Sequence, residues 1–414
     1  MVEHAIVIVG GGPAGMAAAV AAYDRGVQDV VILDREPHLG GILQQCIHNG
    51  FGLHKLGREL TGPEYAAVYA EMVQQRGIRV YHETTVTNVS ADRVVTAQSR
   101  AGILKIQAGA VILAMGCRER SRGALNISGS RPAGVYSAGT AQKLMNCEGY
   151  MVGKKVVILG SGDIGLIMAR RMSLEGAKVE AVCELMPYSG GLTRNIVQCL
   201  EDFGIPLYLS TTVAQIHGEK RLEGVTIAQV DENRQPIEET KRFIPCDTLL
   251  LSVGLIPENE LTRACGIPMD PITGGAQVDA HCQTQIPGVF ACGNVLHVHD
   301  LVDYVSEEAE RAGIGAADLI LNGAAPAECL TTKPGYGVRY VIPQTLHKRG
   351  EDVSLFLRVT QPFGKVKFTV TSGENVLATV KRIKAAPGEM EKITLKAEML
   401  EKAAAPIVVA LEEL

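Results

Sequence analysis

The sequence has ten cysteines, yet no two of them stand at a spacing that forms a metal-binding or disulfide motif. No pair shows the C-x-x-C or C-x4-C spacing used by zinc knuckles and iron–sulfur sites. Scattered single thiols are typical of proteins in a reducing compartment. The cysteines therefore predict a cytoplasmic protein without zinc, iron–sulfur clusters or a disulfide framework.

Clusters of basic residues and long apolar runs are also missing. The formal net charge is −5, whereas nucleic-acid binding needs clustered Lys and Arg. No window of about 18 uncharged apolar residues occurs, so no membrane span is expected. The apolar start carries Glu3 and is soon interrupted by glycines, unlike a signal peptide. We expect neither a nucleic-acid partner nor membrane insertion.

A glycine fingerprint near the N-terminus is the strongest positive signal. The apolar run over residues 5–9 leads into Gly10, Gly12 and Gly15 in the pattern G-x-G-x-x-G, with a helix predicted over residues 13–25. Gly10 permits a tight turn, Gly12 lets a diphosphate approach the backbone, and Gly15 lets the helix lie close to the strand. The free N–H groups of the helix N-terminus then face the anion.

The fingerprint occurs twice. The second copy begins 150 residues after the first and consists of Gly160, Gly162 and Gly165. Each copy is followed, nineteen residues after its third glycine, by an acid at the end of a predicted strand, namely Asp34 or Glu184. A carboxylate at this place binds adenosine ribose hydroxyls. Chance repetition of the whole pattern is improbable, so the sequence predicts two adenine-dinucleotide sites.

Other patterns predict mixed α and β structure. Thr61 and Glu64 form a capping box with Pro63 in the first turn, which starts a helix running to residue 76. Further helices are predicted over residues 164–175, 192–203 and 300–321, and a linker over residues 322–334. The remaining predicted strands before residue 330 cover residues 79–82, 85–90, 103–107, 110–114, 178–183 and 248–252.

From residue 337 the pattern changes to alternation of apolar and polar residues. The predicted strands cover residues 338–342, 353–359, 365–370, 376–382, 392–395 and 407–411. Period-2 strands separated by turn signals predict a small antiparallel sandwich. Since none of the motifs above falls in it, a packing or docking module is favoured over a catalytic one.

The two nested fingerprints resemble the two-dinucleotide-binding-domain flavoproteins, the superfamily of glutathione and thioredoxin reductases. Three further stretches are similar to motifs of that superfamily: residues 110–116 to its strand-end Ala-Thr-Gly motif, 249–259 to its Gly-x-x-Pro segment, and 287–294 to its second FAD motif. The resemblance covers about residues 1–330. It implies FAD in one domain and NAD(P)H in the other.

A narrower resemblance rests on residues 40–52, 60–66, 116–120 and 294–303. They are similar to FAD/NAD oxidoreductases that accompany glycerol-3-phosphate-dehydrogenase-like subunits in bacterial operons, and to the second subunit of hydrogen-cyanide synthase. In that group a partner oxidises a hydroxy acid or amine, and electrons pass between the flavin and an acceptor. The resemblance thus implies a small-molecule substrate or a partner flavoprotein dehydrogenase subunit, in an oligomer or hetero-complex.

The expected fold class is α/β, with two Rossmann-like three-layer nucleotide-binding domains and a small C-terminal all-β sandwich. The NAD(H)-binding domain, residues 121–245, is expected to be inserted into the FAD-binding domain, residues 1–120 and 246–330. The sandwich is expected over residues 335–414.

The resemblance also implies a set of cofactor-binding residues. On the FAD side they are Gly10, Gly12, Pro13, Ala14, Gly15, Asp34, Arg35, Gly40, Gly41, Ile42, Ala114, Gly116, Gly293 and Asn294. On the NAD(H) side they are Gly160, Gly162, Asp163, Ile164, Gly165, Glu184 and Gly254. Asn294 replaces the usual Asp of the family but keeps an acceptor, so FAD binding should survive. The Glu184 carboxylate would accept from a ribose 2′-OH and repel a 2′-phosphate, which favours NAD(H) over NADP(H).

Little side-chain chemistry is expected. Hydride transfer between NAD(H) and the flavin N5 needs stacking at short distance rather than an acid or base. The helix predicted to start near residues 300–304 would direct its positive end at the flavin pyrimidine edge and stabilise negative charge there.

Cys46 is the candidate catalytic side chain. It follows Gly40 and Gly41, where disulfide reductases of this superfamily place a redox pair, but residues 41–51 contain no second cysteine. Dithiol exchange is therefore disfavoured. A single-cysteine cycle through a sulfenic acid or mixed disulfide stays open, and a small residue packed beside the flavin is the favoured interpretation.

His297, His299, Asp300 and Asp303 form a second polar cluster. Two histidines and two carboxylates could ligate a metal, but the spacing of a full ligand set is lacking, and no metal is predicted. The favoured interpretation is a helix start capped by Asp300 or Asp303.

Three functions remain open. The favoured one is an FAD-dependent oxidoreductase that exchanges hydride with NAD(H) as part of a multisubunit dehydrogenase acting on a hydroxy acid, glycerol-3-phosphate or an amine. The second is a stand-alone NADH oxidase or disulfide reductase using Cys46. The third is an FAD-binding electron-transfer or scaffold subunit with an idle nicotinamide site.

Overall fold

A computed structural model describes residues 2–323, 328–404 and 406–414 of the protein. The chain divides into two compact units. The first unit comprises Met1–Cys117 and Pro257–Leu414, and the second comprises Arg118–Ile256. Within the described residues, no helix is both long and apolar enough to cross a membrane.

The first unit begins with an α/β layer. Its strands are β1 (Val2–Val9), β2 (Val30–Leu33), β3 (Asn49–Phe51), β4 (Leu60–Thr61), β5 (Arg79–Tyr81), β6 (Thr85–Val89), β7 (Val94–Ser99) and β8 (Gly102–Leu113). Its helices are α1 (Pro13–Asp24) and α2 (Gly62–Gln75). The sheet order is β5-β2-β1-β8-β7-β6. The pairs β1–β2, β1–β8 and β2–β5 are parallel, and their buried apolar residues fit a sheet covered on both faces.

The second unit, together with its two boundary strands, contains the next set of elements. The strands are β9 (Cys117–Glu119), β10 (Ser128–Gly129), β11 (Val135–Ser137), β12 (Lys155–Leu159), β13 (Lys178–Cys183), β14 (Leu207–Tyr208), β15 (Thr211–His217), β16 (Gly224–Gln229), β17 (Arg242–Pro245), β18 (Thr248–Leu251) and β19 (Leu255–Pro257). The helices are α3 (Arg122–Leu125), α4 (Ala138–Asn146), α5 (Asp163–Leu174) and α6 (Thr193–Cys199). Strands β11-β18-β12-β13-β14 form a parallel sheet. Strands β10-β15-β16-β17 form a second sheet, in which β15, β16 and β17 are antiparallel.

The chain then returns to the first unit. Its strands there are β20 (Val289–Ala291), β21 (Cys329–Pro334), β22 (Val338–Ile342), β23 (Thr345–His347), β24 (Val353–Val359), β25 (Val366–Ser372), β26 (Asn375–Arg382), β27 (Glu391–Leu395) and β28 (Ile407–Glu413). Its helices are α7 (Glu260–Ala264), α8 (Val302–Asn322) and α9 (Ala397–Leu400). Strand β20 pairs in parallel with β8. Helix α8 packs on α1, where a side chain at Gly313 would overlap the carbonyl oxygen of Ala18.

The C-terminal part of the first unit is a two-sheet sandwich. One sheet has the order β23-β21-β28-β25-β26 and the other β22-β24-β27. Alternate residues such as Leu355, Leu357, Phe368 and Val370 point into a shared apolar core. The predicted α/β fold class with an all-β C-terminal sandwich is confirmed.

Two predictions about secondary structure need correction. Residues 103–107 and 110–113 belong to the single strand β8, which pairs with β7 over residues 102–107 and with β1 over residues 106–113. The linker predicted over residues 322–334 includes β21, which pairs with β23 and β28. Residues 324–327 of that prediction lie outside the described residues.

The boundary predicted at residue 246 is displaced. Strand β18 hydrogen-bonds to β11 and β12 in the parallel sheet of the second unit, so residues 246–256 belong to the second unit and not to the first. An apolar run such as Thr248–Leu251 suits the interior of either sheet, which is why its pattern alone did not place it.

Candidate functional site

The first glycine turn connects β1 to α1. Gly10 has φ +107°, and a side chain there would lie 2.5 Å from the Ala114 carbonyl oxygen. A side chain at Gly15 would overlap the carbonyl oxygen of Gly10. The protein itself therefore requires glycine at both positions.

Gly12 differs from its neighbours because no contact among the described residues requires it to be glycine. Its φ is −73°, and a Cβ there would meet no atom of a described residue within 4 Å beyond its chain neighbours and its own helix. It is the N-cap of α1, which has Pro13 in its first turn, no side-chain cap and no acidic residue in that turn. Open space beside Gly12 and uncapped N–H groups fit a bound diphosphate.

Asp34 fixes this turn from the end of β2. Its side chain is buried, and Oδ2 accepts a hydrogen bond from the Gly11 N–H while Oδ1 accepts one from the Glu36 N–H at 2.7 Å. Arg35 points away, with a side chain 71% exposed beside Glu36 at 3.9 Å. The carboxylate thus lies beside the glycine turn, where the sequence predicted a ribose partner.

The loop that begins at Gly40 lies against the same turn. The Gly40 N–H donates to the Gly11 carbonyl at 2.8 Å, and both Gly40 and Gly41 have positive φ. A side chain at Gly41 would come within 3.2 Å of the Gly12 Cα. Ile42, in the 3-10 helix that follows, is 56% exposed. Gly40 and Gly41 are therefore brought to the N-terminus of α1.

Cys46 closes that 3-10 helix. Its half-buried thiol donates to the Ile42 carbonyl at 3.3 Å, and its own carbonyl accepts from the Gly62 N–H at 2.8 Å. Both contacts are made with the backbone, and they pack the loop onto the start of α2. They fit the packing interpretation of Cys46.

The segment after β20 completes the first site. Gly293 has φ +73°, and a side chain there would lie 2.8 Å from the Ala14 Cβ in the first turn of α1. Asn294 is half-buried, with Oδ1 accepting from the His299 N–H at 3.0 Å. At the end of β8, the Ala114 N–H donates to the Val9 carbonyl at 2.9 Å, and Gly116 has φ +73° with open space beside it.

The second glycine turn repeats the first. Gly160 has φ +99°, and a side chain there would overlap the Ser252 carbonyl oxygen. A side chain at Gly165 would lie 2.6 Å from the Gly160 oxygen, whereas the nearest atom to a Cβ on Gly162 is 3.8 Å away. As in the first copy, the first and third glycines have no room for a side chain, whereas the second glycine does. Gly254, with φ +101°, accepts from the Arg120 N–H at 3.0 Å.

Glu184 holds the second turn as Asp34 holds the first. Its Oε2 accepts from the Ser161 N–H at 2.9 Å and the Ser161 hydroxyl at 2.7 Å. Its Oε1 accepts from the Met186 N–H at 2.9 Å. The positions of Gly11 and Glu36 in the first copy are taken by Ser161 and Met186 in the second.

The second copy carries an acid that the first lacks. Asp163 lies in the first turn of α5, next to the half-buried Ile164. Its Oδ1 accepts from the Leu192 N–H at 2.8 Å and from the Asn195 side-chain amide at 2.7 Å. The negative charge of Asp163 partly cancels the positive electrostatic potential at the N-terminus of α5.

Two histidines of the predicted polar cluster converge on a residue that the sequence reasoning missed. The His297 Nε2 lies 2.8 Å from Glu308 Oε2, and the His299 Nε2 lies 3.2 Å from Glu308 Oε1. Glu308 Oε1 also accepts from the Gly293 N–H at 2.7 Å. All three side chains are buried. Glu308 stands on the apolar face of α8 with Val305, Ala309 and Ala312, and an acid in such a stripe is the signal that could have revealed it.

The protonation of this triad follows from its burial. Desolvation and the neighbouring His299 lower the pKa of His297 to about 4, so this ring is neutral and donates from Nε2. Burial alone would raise the pKa of Glu308, but its contacts with the two histidines, which donate hydrogen bonds to it and add positive charge only when protonated, hold that pKa well below its usual range.

The triad could in principle hold a metal ion, since its three ligand atoms lie within 4.8 Å of one another. Tetrahedral zinc would keep its ligand atoms about 3.3 Å apart, yet the His297–Glu308 distance is 2.8 Å. The Nδ1 atoms of both histidines also have no hydrogen-bond partner among the described residues, whereas metal-bound histidines use that nitrogen to orient the ring. The geometry is that of a hydrogen-bonded triad.

The prediction that Asp300 or Asp303 caps α8 is wrong. The N-cap is Leu301, and the cap carries no side-chain hydrogen bond. Asp303 lies inside the first turn, 2% exposed, with Oδ2 accepting from the His54 N–H at 3.2 Å. Its Oδ1 has no hydrogen-bond partner among the described residues. A buried acceptor of this kind fits a donor on a bound ligand.

Comparisons with known proteins agree with this geometry. A family model described as "Pyridine nucleotide-disulphide oxidoreductase" matches residues 4–313. The structure resembles thioredoxin reductase from T. acidophilum, with a TM-score of 0.64 and 25% identity over 77% of this chain and 99% of that one.

Several curated proteins are also similar in sequence. The ferredoxin reductase component of chlorobenzene dioxygenase from Cupriavidus sp. is 28% identical over 79% of this chain and 77% of its own length. A subunit of the opine oxidase of Agrobacterium tumefaciens is 26% identical over 63% of this chain, which spans 54% of that protein. The HcnB subunit of hydrogen cyanide synthase from Pseudomonas protegens is 27% identical over 70% of this chain, which spans 65% of that protein.

The family match extends from the first glycine turn, through the second, to the half of α8 that carries Glu308. Both turns have the open position that a diphosphate needs, and both carry the acid held beside it. The chain therefore belongs to the pyridine nucleotide-disulphide oxidoreductase family and is an oxidoreductase that uses FAD and NAD(P)H.

Proposed function

We propose that this chain exchanges hydride between NAD(H) and FAD as the NAD(H)/FAD subunit of a dehydrogenase that acts on a hydroxy acid, glycerol-3-phosphate or an amine. The observation that carries the proposal is the repeated turn, with Gly12 and Gly162 open and an acid hydrogen-bonded behind each. FAD, when bound, supplies a hydride acceptor at N5.

The chain's own residues bind and orient the two nucleotides. The first turn, the Gly40–Gly41 loop and Gly293 surround the open N-terminus of α1, where FAD is placed in this proposal. The second turn holds the nicotinamide nucleotide at α5. Reaction then depends on positioning, because hydride transfer needs no proton donor on the protein.

The preference for NAD(H) rests on Glu184. Its two oxygens already accept from Ser161 and Met186, which fixes the carboxylate beside the turn. A fixed negative charge there accepts from a ribose 2′-OH and repels a 2′-phosphate. NADH is therefore the proposed substrate and NADPH the disfavoured one.

The subunit role is supported by the names of similar proteins. Their names describe one as a component of chlorobenzene dioxygenase, one as a subunit of opine oxidase and one as a subunit of hydrogen cyanide synthase. We extend this subunit character to the present chain, with a dehydrogenase as partner in the cytoplasm.

Anaerobic titration of the purified protein with NADH tests the redox function. We expect stoichiometric FAD and loss of its visible absorbance with NADH, more readily than with NADPH. A protein that retains FAD but is not bleached by NADH would instead support the scaffold function with an idle nicotinamide site. The role as a subunit is then tested by co-expressing the chain with the products of neighbouring genes. The complex is assayed for NAD(H)-linked oxidation of a hydroxy acid, glycerol-3-phosphate or an amine.

Replacement of Cys46 separates hydride transfer from thiol chemistry. Because the Cys46 thiol donates to a backbone carbonyl, a serine hydroxyl can take over that hydrogen bond. Cys46→Ser should therefore leave the rate of flavin reduction by NADH unchanged. Loss of turnover with a disulfide or peroxide acceptor, at an unchanged reduction rate, would favour the disulfide reductase or oxidase function.

A further inference from the structure

The C-terminal sandwich touches the segment that carries Gly293 and Asn294. This segment, residues 293–300, leads from β20 to α8. On one side Glu308 of α8 holds it through the Gly293 N–H and the two histidines. On its other side lie side chains of β22 and β24 and the backbone of the residues before β27.

Arg358 of β24 makes the central polar contact. Its guanidinium donates to the Val298 carbonyl at 3.0 Å and to the Pro387 carbonyl at 3.0 Å, and lies 3.9 Å from Asp300 Oδ1. The side chain is 14% exposed and that of Asp300 is 9% exposed. Buried hydrogen bonds in which one partner is charged contribute more to stability than hydrogen bonds between neutral groups.

The backbone of the sandwich holds Asp300 as well. The Met390 N–H donates to Asp300 Oδ2 at 3.0 Å. Lys392, two residues further, pairs with Glu307 of α8 at 2.5 Å. Charged contacts from the sandwich thus reach both the segment and the first turns of α8.

Aromatic side chains pack against the two histidines. The Phe356 ring lies 6.0 Å from the His297 ring, 6.1 Å from the His299 ring and 6.1 Å from the Tyr304 ring, in edge-on geometry. The Tyr340 ring lies 6.1 Å from His297 on another side. Edge-to-face packing of this kind restricts ring orientation.

We infer that the C-terminal sandwich is part of the FAD site, in which Arg358 and Phe356 hold residues 297–300 against Glu308 and thereby fix Gly293 and Asn294 for the cofactor. Arg358 is a positioning residue in this account. The inference rests on the binding of FAD at the first fingerprint, and it gives the sandwich a role that its lack of motifs concealed.

The physical consequence of losing Arg358 follows from burial. Without the guanidinium, the Val298 carbonyl loses its donor and the buried Asp300 loses its nearest cation. A buried carbonyl without a donor and a buried carboxylate without a cation both cost free energy. Residues 297–300 therefore move toward water. Gly293 and Asn294 move with them, and FAD is released more readily.

The rate of FAD release from the holoprotein tests the inference. Arg358→Met should release FAD about tenfold faster or more and shift the flavin midpoint potential, because a charge-assisted hydrogen bond and its buried partner are both affected. Arg358→Lys keeps a cation and should restore a large part of the wild-type rate. Asp300→Asn keeps an acceptor for Met390 and should give a smaller increase, so a poorly folding Arg358→Met protein does not prevent the test.

Phe368→Leu is the matched control, since Phe368 is buried in the other sheet of the same sandwich. It should lower thermal stability without changing FAD release. The inference would be overturned if the Arg358 and Asp300 variants released FAD at the wild-type rate. It would also be overturned if Phe368→Leu, at the same loss of thermal stability, accelerated FAD release as much as Arg358→Met. A wild-type protein without FAD would instead contradict the proposed function.

Discussion

The two glycine turns share one hydrogen-bonded frame but differ in charge. Asp34 and Glu184 each accept from the backbone within the turn and from the backbone two residues after the acid. The following loop also binds back in both copies, through Gly40 to the Gly11 carbonyl and through Ser189 to the Ser161 carbonyl. The repeat therefore extends beyond the glycines.

The difference lies at the helix N-terminus. Helix α1 has no acid in its first turn, whereas α5 has Asp163. An acid there weakens the attraction of the helix end for a diphosphate. In the proposed function, this difference lets the same backbone frame bind FAD tightly as a resident cofactor at α1 and NAD(H) more weakly as an exchangeable substrate at α5.

The largest effect is expected from filling the open positions. Gly12→Val should remove FAD almost completely, and Gly162→Val should abolish reduction by NADH while FAD stays bound. Because each Cβ enters open space, both proteins should fold normally. Absorbance spectra and circular dichroism of the two variants check this. Loss of both nucleotides from either variant would show that the sites are not separable.

Acid should affect the first unit more than the second. The pKa of His297 is lowered to about 4, so between its usual value and pH 4 the unfolded chain binds a proton that the folded chain does not. Stability is then lost as the pH falls. Glu308, with a pKa below its usual range, contributes stability that is lost below about pH 4.5, in the same direction. Both groups therefore lower the free energy of unfolding of the first unit as the pH falls from 7 to 4.

Hydrogen exchange at several pH values measures this for each unit. In the described part of the second unit, the groups with shifted pKa are Arg122 and cysteines whose pKa is raised, and these do not titrate in that range. His297→Gln should flatten the pH dependence of the first unit. An equal loss of protection in both units would contradict the role of the triad.

Exchange of the two acids for amides tests their equivalence. Glu184→Gln should raise the NADPH to NADH ratio of kcat/KM about tenfold, because it removes the charge that repels a 2′-phosphate but keeps an acceptor. Asp34→Asn should weaken FAD without changing that ratio. Steady-state kinetics with both nucleotides are sufficient, and an unchanged ratio for Glu184→Gln would refute the placing of this acid.

The smallest effect is expected at the helix N-termini. Asp163→Asn keeps an acceptor for Leu192 and removes a charge, so the Kd for NADH should fall about two- to fivefold. Pro13→Asp, at the matching position of the first copy, should weaken FAD by a similar factor. Weaker NADH binding in Asp163→Asn would show that the contact with Leu192 and Asn195 matters more than the charge.

Much of this architecture could be predicted from the sequence because its signals are local. The capping box is formed as predicted, with the Thr61 N–H bound to Glu64 at 2.7 Å. The sandwich strands follow the alternation of apolar residues within a few positions.

The errors arise where distant contacts decide. Strand β18 has an apolar pattern that suits either sheet, and β21 is stabilised by β28, more than seventy residues away. Glu308 and Arg358 carry no motif, and their roles depend on which residues the fold places beside His297 and Val298.

The most direct test of the central claim is rapid anaerobic mixing of the holoprotein with NADH carrying deuterium on one face of C4. Direct hydride transfer to the flavin predicts a primary isotope effect on flavin bleaching for deuterium on one face and almost none for the other. Bleaching that shows no isotope effect for either label, in a protein where chemistry limits the observed rate, would contradict hydride transfer between the two bound nucleotides.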